Sequence, residues 1–116
     1  MSKVTIYHNP RCSKSRKTLS LLEDLELEVE VINYLQTPPN SERLKDILSK
    51  LGIKARELMR RKETLYVELG LAKESLTEEQ LINAMSDNPI LIERPIVIHK
   101  TKCAIGRPPE NVLSIL

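Results

Sequence analysis

The sequence predicts an α/β fold in which a β-α-β half and a β-β-α half are separated by a helical insertion. Three observations carry that reading. A strand pattern, a helical pattern and a second strand pattern follow one another within residues 4–34. Residues 41–87 then show helical periodicity and no strand signal, and two short β-branched segments close together occupy 96–105. A β-α-β unit gives a parallel pair through a right-handed crossover, whereas strands joined by a short turn are antiparallel.

Each element has its own signal. Val4-Thr5-Ile6-Tyr7 is β-branched and aromatic, which predicts the first strand. Asn9-Pro10 ends it, because proline lacks an amide donor and turns the preceding residue away from helix. Leu19, Leu21, Leu22 and Leu25 recur at helical spacing and predict a helix over Ser13–Leu25. Glu28 to Tyr34 alternates charged and apolar side chains, the pattern of a second strand. After the turn at Thr37-Pro38-Pro39-Asn40, Ser41 is expected to cap a helix with Leu44, Ile47, Leu48 and Leu51 inward, stopped by Gly52. Two short helices are expected over residues 55–63 and 65–71, the second ending at Gly70. Thr77-Glu78-Glu79-Gln80 has the spacing of a capping box and opens a helix burying Leu81, Ile82 and Met85, closed by Asn88-Pro89. Ile96-Val97-Ile98-His99 and Lys102-Cys103-Ala104-Ile105 form the predicted hairpin, and a C-terminal helix with Val112, Leu113 and Leu116 follows Pro108-Pro109-Glu110. This order is a thioredoxin-like α/β pattern with a helical insertion between its halves, expected to form a single domain over residues 1–116. A fold of this kind does not by itself fix a function.

Composition narrows the classes. With 41% hydrophobic residues in 116, the chain has enough for a core and too much for disorder. No apolar run approaches the ~18 residues of a membrane span and no leader pattern follows Met1, so the expected setting is cytoplasmic with no membrane partner. Two cysteines cannot build a disulfide scaffold or a zinc site, so no metal is expected. No Phe or Trp, only three Tyr and a net charge of +2 argue against a nucleic-acid partner. The charge is nevertheless segregated: residues 3–17 carry +5 with no acid, while 54–62 and 94–107 carry +4 each. If the fold gathers these blocks they make a local anion site; otherwise they are solvated faces.

The chemistry concentrates at Cys12, between the first strand and the helix that follows. Free amides at a helix N-terminus carry partial positive charge, and a thiol placed there gives up its proton more easily. Arg11, Lys14 and Arg16 favour the same thiolate. A Cys-x-x-Cys pair would need a second thiol where Ser15 stands, so the cycle must be completed by an external thiol or not at all. Cys103, flanked by apolar residues in the hairpin, reads as core filler. His8, four residues before Cys12, is a candidate catalytic residue that polarises the thiolate or orients a polar neighbour. Arg16, one helical turn after Cys12 on the same face, is a candidate substrate ligand, and His99 is expected at the surface.

The segment His8-Asn9-Pro10-Arg11-Cys12-Ser13-Lys14-Ser15-Arg16 has a His-x3-Cys-x3-Arg form and resembles the glutaredoxin-coupled arsenate reductase family, its short, chromosomal-type branch in particular. The resemblance continues through Tyr34-Leu35-Gln36-Thr37-Pro38-Pro39, Arg56-Glu57-Leu58-Met59-Arg60, Tyr66-Val67-Glu68-Leu69-Gly70-Leu71, Pro89-Ile90-Leu91-Ile92-Glu93-Arg94-Pro95-Ile96-Val97 and Gly106-Arg107-Pro108-Pro109-Glu110-Asn111-Val112-Leu113. It thus spans essentially the whole chain. It implies reduction of arsenate to arsenite in the cytoplasm, with no bound cofactor and with glutathione as co-substrate. Cys12 would attack arsenate, glutathione would add to form a mixed thiolate adduct, and glutaredoxin would accept the glutathionyl group. The family's three oxyanion-binding arginines match Arg60, Arg94 and Arg107, and a cis peptide is implied before Pro95. Guanidinium suits the task, since it stays charged and presents a planar fork to a tetrahedral anion. Two other readings stand beside this one: a general glutathione-dependent thiol oxidoreductase, and an Spx-type RNA polymerase-binding regulator. The regulator is disfavoured by the missing Cys-x-x-Cys switch.

Overall fold

In the computed structural model, which describes residues 3–116, β1 (Lys3–His8) lies inside a four-stranded sheet of order β2-β1-β3-β4. β2 is Glu28–Asn33, β3 Ile96–His99 and β4 Lys102–Ile105. Ile6 lies opposite Val31 of parallel β2 and opposite Val97 of antiparallel β3, and Val97 in turn faces Ala104 of antiparallel β4. The parallel pair is joined through α1 (Ser13–Asp24), as a crossover demands. The antiparallel pair turns at Lys100, whose φ of 56° is left-handed. These connections are those of a thioredoxin-like α/β fold carrying a helical insertion.

The chain divides into two compact units, Met1–Thr37 with Arg94–Leu116, and Pro38–Glu93. In the first, period-two alternation brings Val4, Ile6, Val97 and Ala104 into one cluster with Leu22 of α1 and Val112. Leu19, Leu21, Leu27, Val29 and Ile115 pack around its margin. Leu25, counted as the last residue of the predicted helix, is exposed, because α1 ends at Asp24 and Leu25 is its C-cap. The C-terminal helix is a 3-10 helix over Pro109–Ile115. At three residues per turn Val112 and Ile115 share a side, which leaves Leu113 and Leu116 exposed rather than inward. His99 is buried, contrary to expectation. It sits on an interior strand, and its Nδ1 donates to the Ile115 carbonyl at 2.6 Å.

The second unit holds α2 (Ser41–Leu51), α3 (Ala55–Leu58), α4 (Thr64–Glu68) and α5 (Glu78–Asp87). The cap of α2 is Asn40 rather than Ser41: its Oδ1 accepts from the Arg43 amide at 2.8 Å. Gly52, at φ 68°, supplies the left-handed stop. α5 opens with the expected capping box, Gln80 N–H on Thr77 Oγ1 at 3.1 Å and Thr77 N–H on Gln80 Oε1 at 2.8 Å. Leu81, Ile82 and Met85 are buried as predicted, α5 packs on α2, and Lys45 pairs with Glu79 at 2.9 Å.

The helix expected over 55–63 stops at Leu58. Met59 turns extended and forms an antiparallel bridge with Ile92, which a short 3-10 turn over Pro89–Leu91 delivers. Both apolar side chains are buried by this exchange, and the flanking amides are satisfied: Arg60 N–H donates to the Leu91 carbonyl at 2.7 Å, and Glu93 N–H to the Leu58 carbonyl at 2.8 Å.

Candidate active site

The chain leaves β1 at His8 and enters α1 at Ser13, with Cys12 as the N-cap in extended conformation. A tight turn connects them. The Cys12 N–H donates to the Asn9 carbonyl at 3.0 Å, and Asn9 Oδ1 accepts from the Arg11 N–H at 3.0 Å. Arg16 reaches back and donates to the Pro10 carbonyl at 2.8 Å, so this candidate ligand braces the turn from the exposed side.

Behind the turn lies Ser15, fully buried. Its Oγ accepts from the Asn9 N–H at 3.0 Å and meets His8 Nδ1 at 2.6 Å. The direction of the His8–Ser15 hydrogen bond follows the tautomer of the ring, since the hydroxyl can donate to Nδ1 or accept a second hydrogen bond from it. Burial lowers the His8 pKa and the Arg16 charge lowers it further, against an opposing pull from Glu23, so the environment favours the neutral imidazole. His8 therefore engages the residue that stands where a resolving thiol would be, and fixes the turn bearing Cys12.

Cys12 itself is buried. Burial is the largest influence on its thiol and pushes the pKa up. The Ser15 N–H, the Arg94 charge, the Lys14 N–H and a hydrogen bond from Arg94 act together in the opposite direction, and the balance lies below the ordinary thiol value. The neutral thiol makes no capping hydrogen bond, so this attraction is for the ionised sulfur. Arg107 adds a second cation, Nη2 lying 4.0 Å from Sγ while its Nε donates to the Arg94 carbonyl at 2.9 Å. Two arginines of the third charge block thus meet at one sulfur, beside the backbone amides of Lys14 and Ser15.

Gly106 makes this arrangement possible. A Cβ there would lie 2.5 Å from Thr18 Oγ1 and 2.8 Å from Pro95 Cγ, and its own N–H donates to the Pro95 carbonyl at 2.9 Å. Thr18 is fully buried and tied to the Lys14 carbonyl at 2.8 Å, so neither neighbour yields easily. Gly106→Ala is expected to cost about 1–3 kcal/mol in denaturant unfolding, with relief when Thr18→Ala is added. The Arg94-Pro95 bond is cis, as the resemblance implied, and Arg107-Pro108 is cis as well.

Of the remaining sequence candidates, Cys103 is buried in β4, and Arg60 belongs to the helical unit. There Arg60 contacts the carboxylates of Glu63 and Glu93. The amides of Lys14 and Ser15 are the helix N-terminal donors that the sequence pointed to, whereas the Thr18–Gly106 approach and these two acids carry no signature in the sequence. Ser15 does leave a trace, as the only departure from a two-thiol motif. Among the described residues, no three His, Cys, Asp or Glu side chains group to hold a metal ion, and no helix is long and apolar enough to cross a membrane.

Comparison with known proteins places this architecture. An uncharacterized protein of Escherichia coli (strain K12), YfgD, is 60% identical over 97% of the chain and 96% of its own length. A protein of Neisseria meningitidis serogroup A named arsenate reductase is 51% identical over the full length of both. A solved structure described as arsenate reductase from Vibrio cholerae superposes with a TM-score of 0.97 at 50% identity, covering 99% of this chain and 98% of its own. Residues 7–115, which include every side chain around Cys12 described above, match the sequence model of the ArsC family. With fold, cysteine turn and full-length similarity in agreement, the chain belongs to the ArsC family.

Proposed function

We propose that the protein reduces arsenate to arsenite, with Cys12 as nucleophile and with glutathione and glutaredoxin as the external thiols. The observation that carries this reading is the single activated sulfur. Cys12 caps a helix under two guanidinium groups while Ser15 occupies the place of a partner thiol. The names of the Neisseria and Vibrio relatives supply the substrate class.

The chemistry follows from electron count. Arsenate must gain two electrons and lose one oxygen as water, which two thiols supply by becoming a disulfide. The Cys12 thiolate attacks arsenic(V) and displaces one oxygen as water, forming an S–As bond. The glutathione thiol displaces a second oxygen. A glutaredoxin thiol then takes the glutathionyl sulfur, leaving both electrons on arsenic, and hydrolysis of the Cys12–As bond releases arsenite and the thiol. The net products are arsenite, water and a mixed disulfide between glutathione and glutaredoxin. Arg94 and Arg107 offset the charge of thiolate and oxyanion together, and donate to oxygen as negative charge grows there. Arg60 is assigned to the same anion on the strength of the resemblance, and His8 holds the turn through Ser15.

The test is turnover. Arsenate is expected to drive oxidation of reduced cofactor in an assay coupled through glutathione, glutaredoxin and glutathione reductase. A glutathionylated disulfide serves as competing substrate. Disulfide reduction with no arsenate turnover above background would replace the proposal with the general thiol oxidoreductase.

A further inference from the structure

Arg107 Nη2 stands 4.0 Å from Cys12 Sγ, at the end of a long side chain with much rotamer freedom to lose. Hydrogen bonds hold the residue at both ends. At the guanidinium, Nε donates to the Arg94 carbonyl at 2.9 Å. At the backbone, the Arg107 N–H donates to the Ile105 carbonyl at 2.9 Å, and the Arg107 carbonyl accepts from Asn111 Nδ2 at 2.9 Å. The sequence explains why a side chain makes this last bond. Pro108 and Pro109 follow Arg107 and bring no N–H, and the Asn111 N–H already donates to the Pro108 carbonyl at 3.0 Å. Facing a carbonyl oxygen, the Asn111 amide presents its NH2 and not its own oxygen. Asn111 is exposed, yet it is firmly seated. Its neighbour Val112 is fully buried in the core cluster, and Ser114 Oγ donates to the Asn111 carbonyl at 2.9 Å.

We propose that Asn111 is a positioning residue: it ties the backbone of Arg107 to the core-anchored C-terminal 3-10 helix, so that the guanidinium is held at Cys12 before an anion arrives. The inference rests on Arg107 serving the anion site of the proposed reaction. Asn111 touches neither the sulfur nor the substrate, and acts only through Arg107. A guanidinium already in place offers its charge without a further ordering cost, whereas one on a loosened backbone must be ordered at each encounter.

The ratio of Cys12 alkylation rates by iodoacetate and by iodoacetamide, at low ionic strength, measures the charge beside the sulfur without turnover. Both reagents react with the thiolate, so the ionised fraction cancels, and only the anionic one feels the guanidinium. Peptide mass spectrometry confines the reading to Cys12. Arg107→Gln is expected to lower the ratio about fivefold, the effect of one unit charge about 4 Å away in water. Asn111→Ala is expected to lower it about twofold, as if Arg107 withdrew to twice that distance, and to lower arsenate kcat/KM about tenfold. Asn111→Gln, which keeps the amide donor on a longer arm, should recover part of both losses. In Asn111→Ala combined with Arg107→Gln the ratio should equal that of Arg107→Gln alone. An unchanged ratio in Asn111→Ala, even beside a lower thermal midpoint, would overturn the proposal and leave Asn111 a stabiliser of its helix. A further fall in the double variant would overturn it too, since Asn111 would then act on the cysteine turn by another route, as would an unchanged ratio in Arg107→Gln. The expected ratios without arsenate turnover in the wild type would uphold the role of Asn111 and remove arsenate as the substrate.

Discussion

Cys12→Ser is expected to bring arsenate-dependent turnover down to background, a loss of about 10⁴-fold or more. The substitution replaces sulfur by oxygen at the same place, so its chemical meaning is narrow. A serine hydroxyl has no accessible anionic form near neutral pH, and the two amides and two guanidiniums that favour a thiolate have nothing to act on. Serine is among the better N-cap residues, so the start of α1 should hold at least as well as before. Thermal unfolding at or above the wild-type midpoint, beside lost turnover, separates chemistry from misfolding. Cys103 remains in this variant, buried in β4 and paired across the hairpin with Ile98. Residual turnover of a few per cent would mean that another thiol performs the step, and the assignment of Cys12 as nucleophile would fall.

The parts of the molecule that were legible in the sequence are those governed by local pattern. Period-two alternation at Glu28-Val29-Glu30-Val31 sits in a strand, and the Thr77 capping box forms as its spacing says. Prediction failed where distant partners decide. Met59 leaves its helix because Ile92 offers a bridge, and His99 is buried because a C-terminal 3-10 helix presents the Ile115 carbonyl. Neither event is encoded within ten residues of where it happens. The same division runs through the site. Cys12 was legible because a cysteine between a strand and a helix has a physical meaning by itself. Arg94 and Arg107 were legible as charge, but their approach to one sulfur depends on Gly106 admitting Thr18 and Pro95 at close range. Ser15 looked like a missing thiol, and the fold uses it as the partner of His8.

Arg94→Ala is the second large effect, and it separates substrate handling from thiol activation. Arg94 acts on Cys12 both as a charge and as a hydrogen-bond donor, and both lower the thiol pKa. The wild-type alkylation rate should therefore rise with pH through a midpoint below the ordinary thiol value of about 8.5. Without Arg94 the burial penalty meets less opposition, so the midpoint moves up. Alkylation at pH 7 slows accordingly and recovers once the pH exceeds both midpoints. The Lys14 and Ser15 amides remain, so the shift is partial. Turnover should fall further than alkylation, by about 10²–10³ in kcat/KM, because a donor to the developing oxyanion is lost as well. Arg94→Lys sharpens the distinction: it restores a positive charge without the bidentate fork. Its alkylation profile should return most of the way toward wild type while arsenate turnover stays impaired. An unchanged profile in Arg94→Ala would show that the helix amides alone hold the thiolate. Full recovery of turnover in Arg94→Lys would show that charge, and not the guanidinium geometry, is what the anion requires.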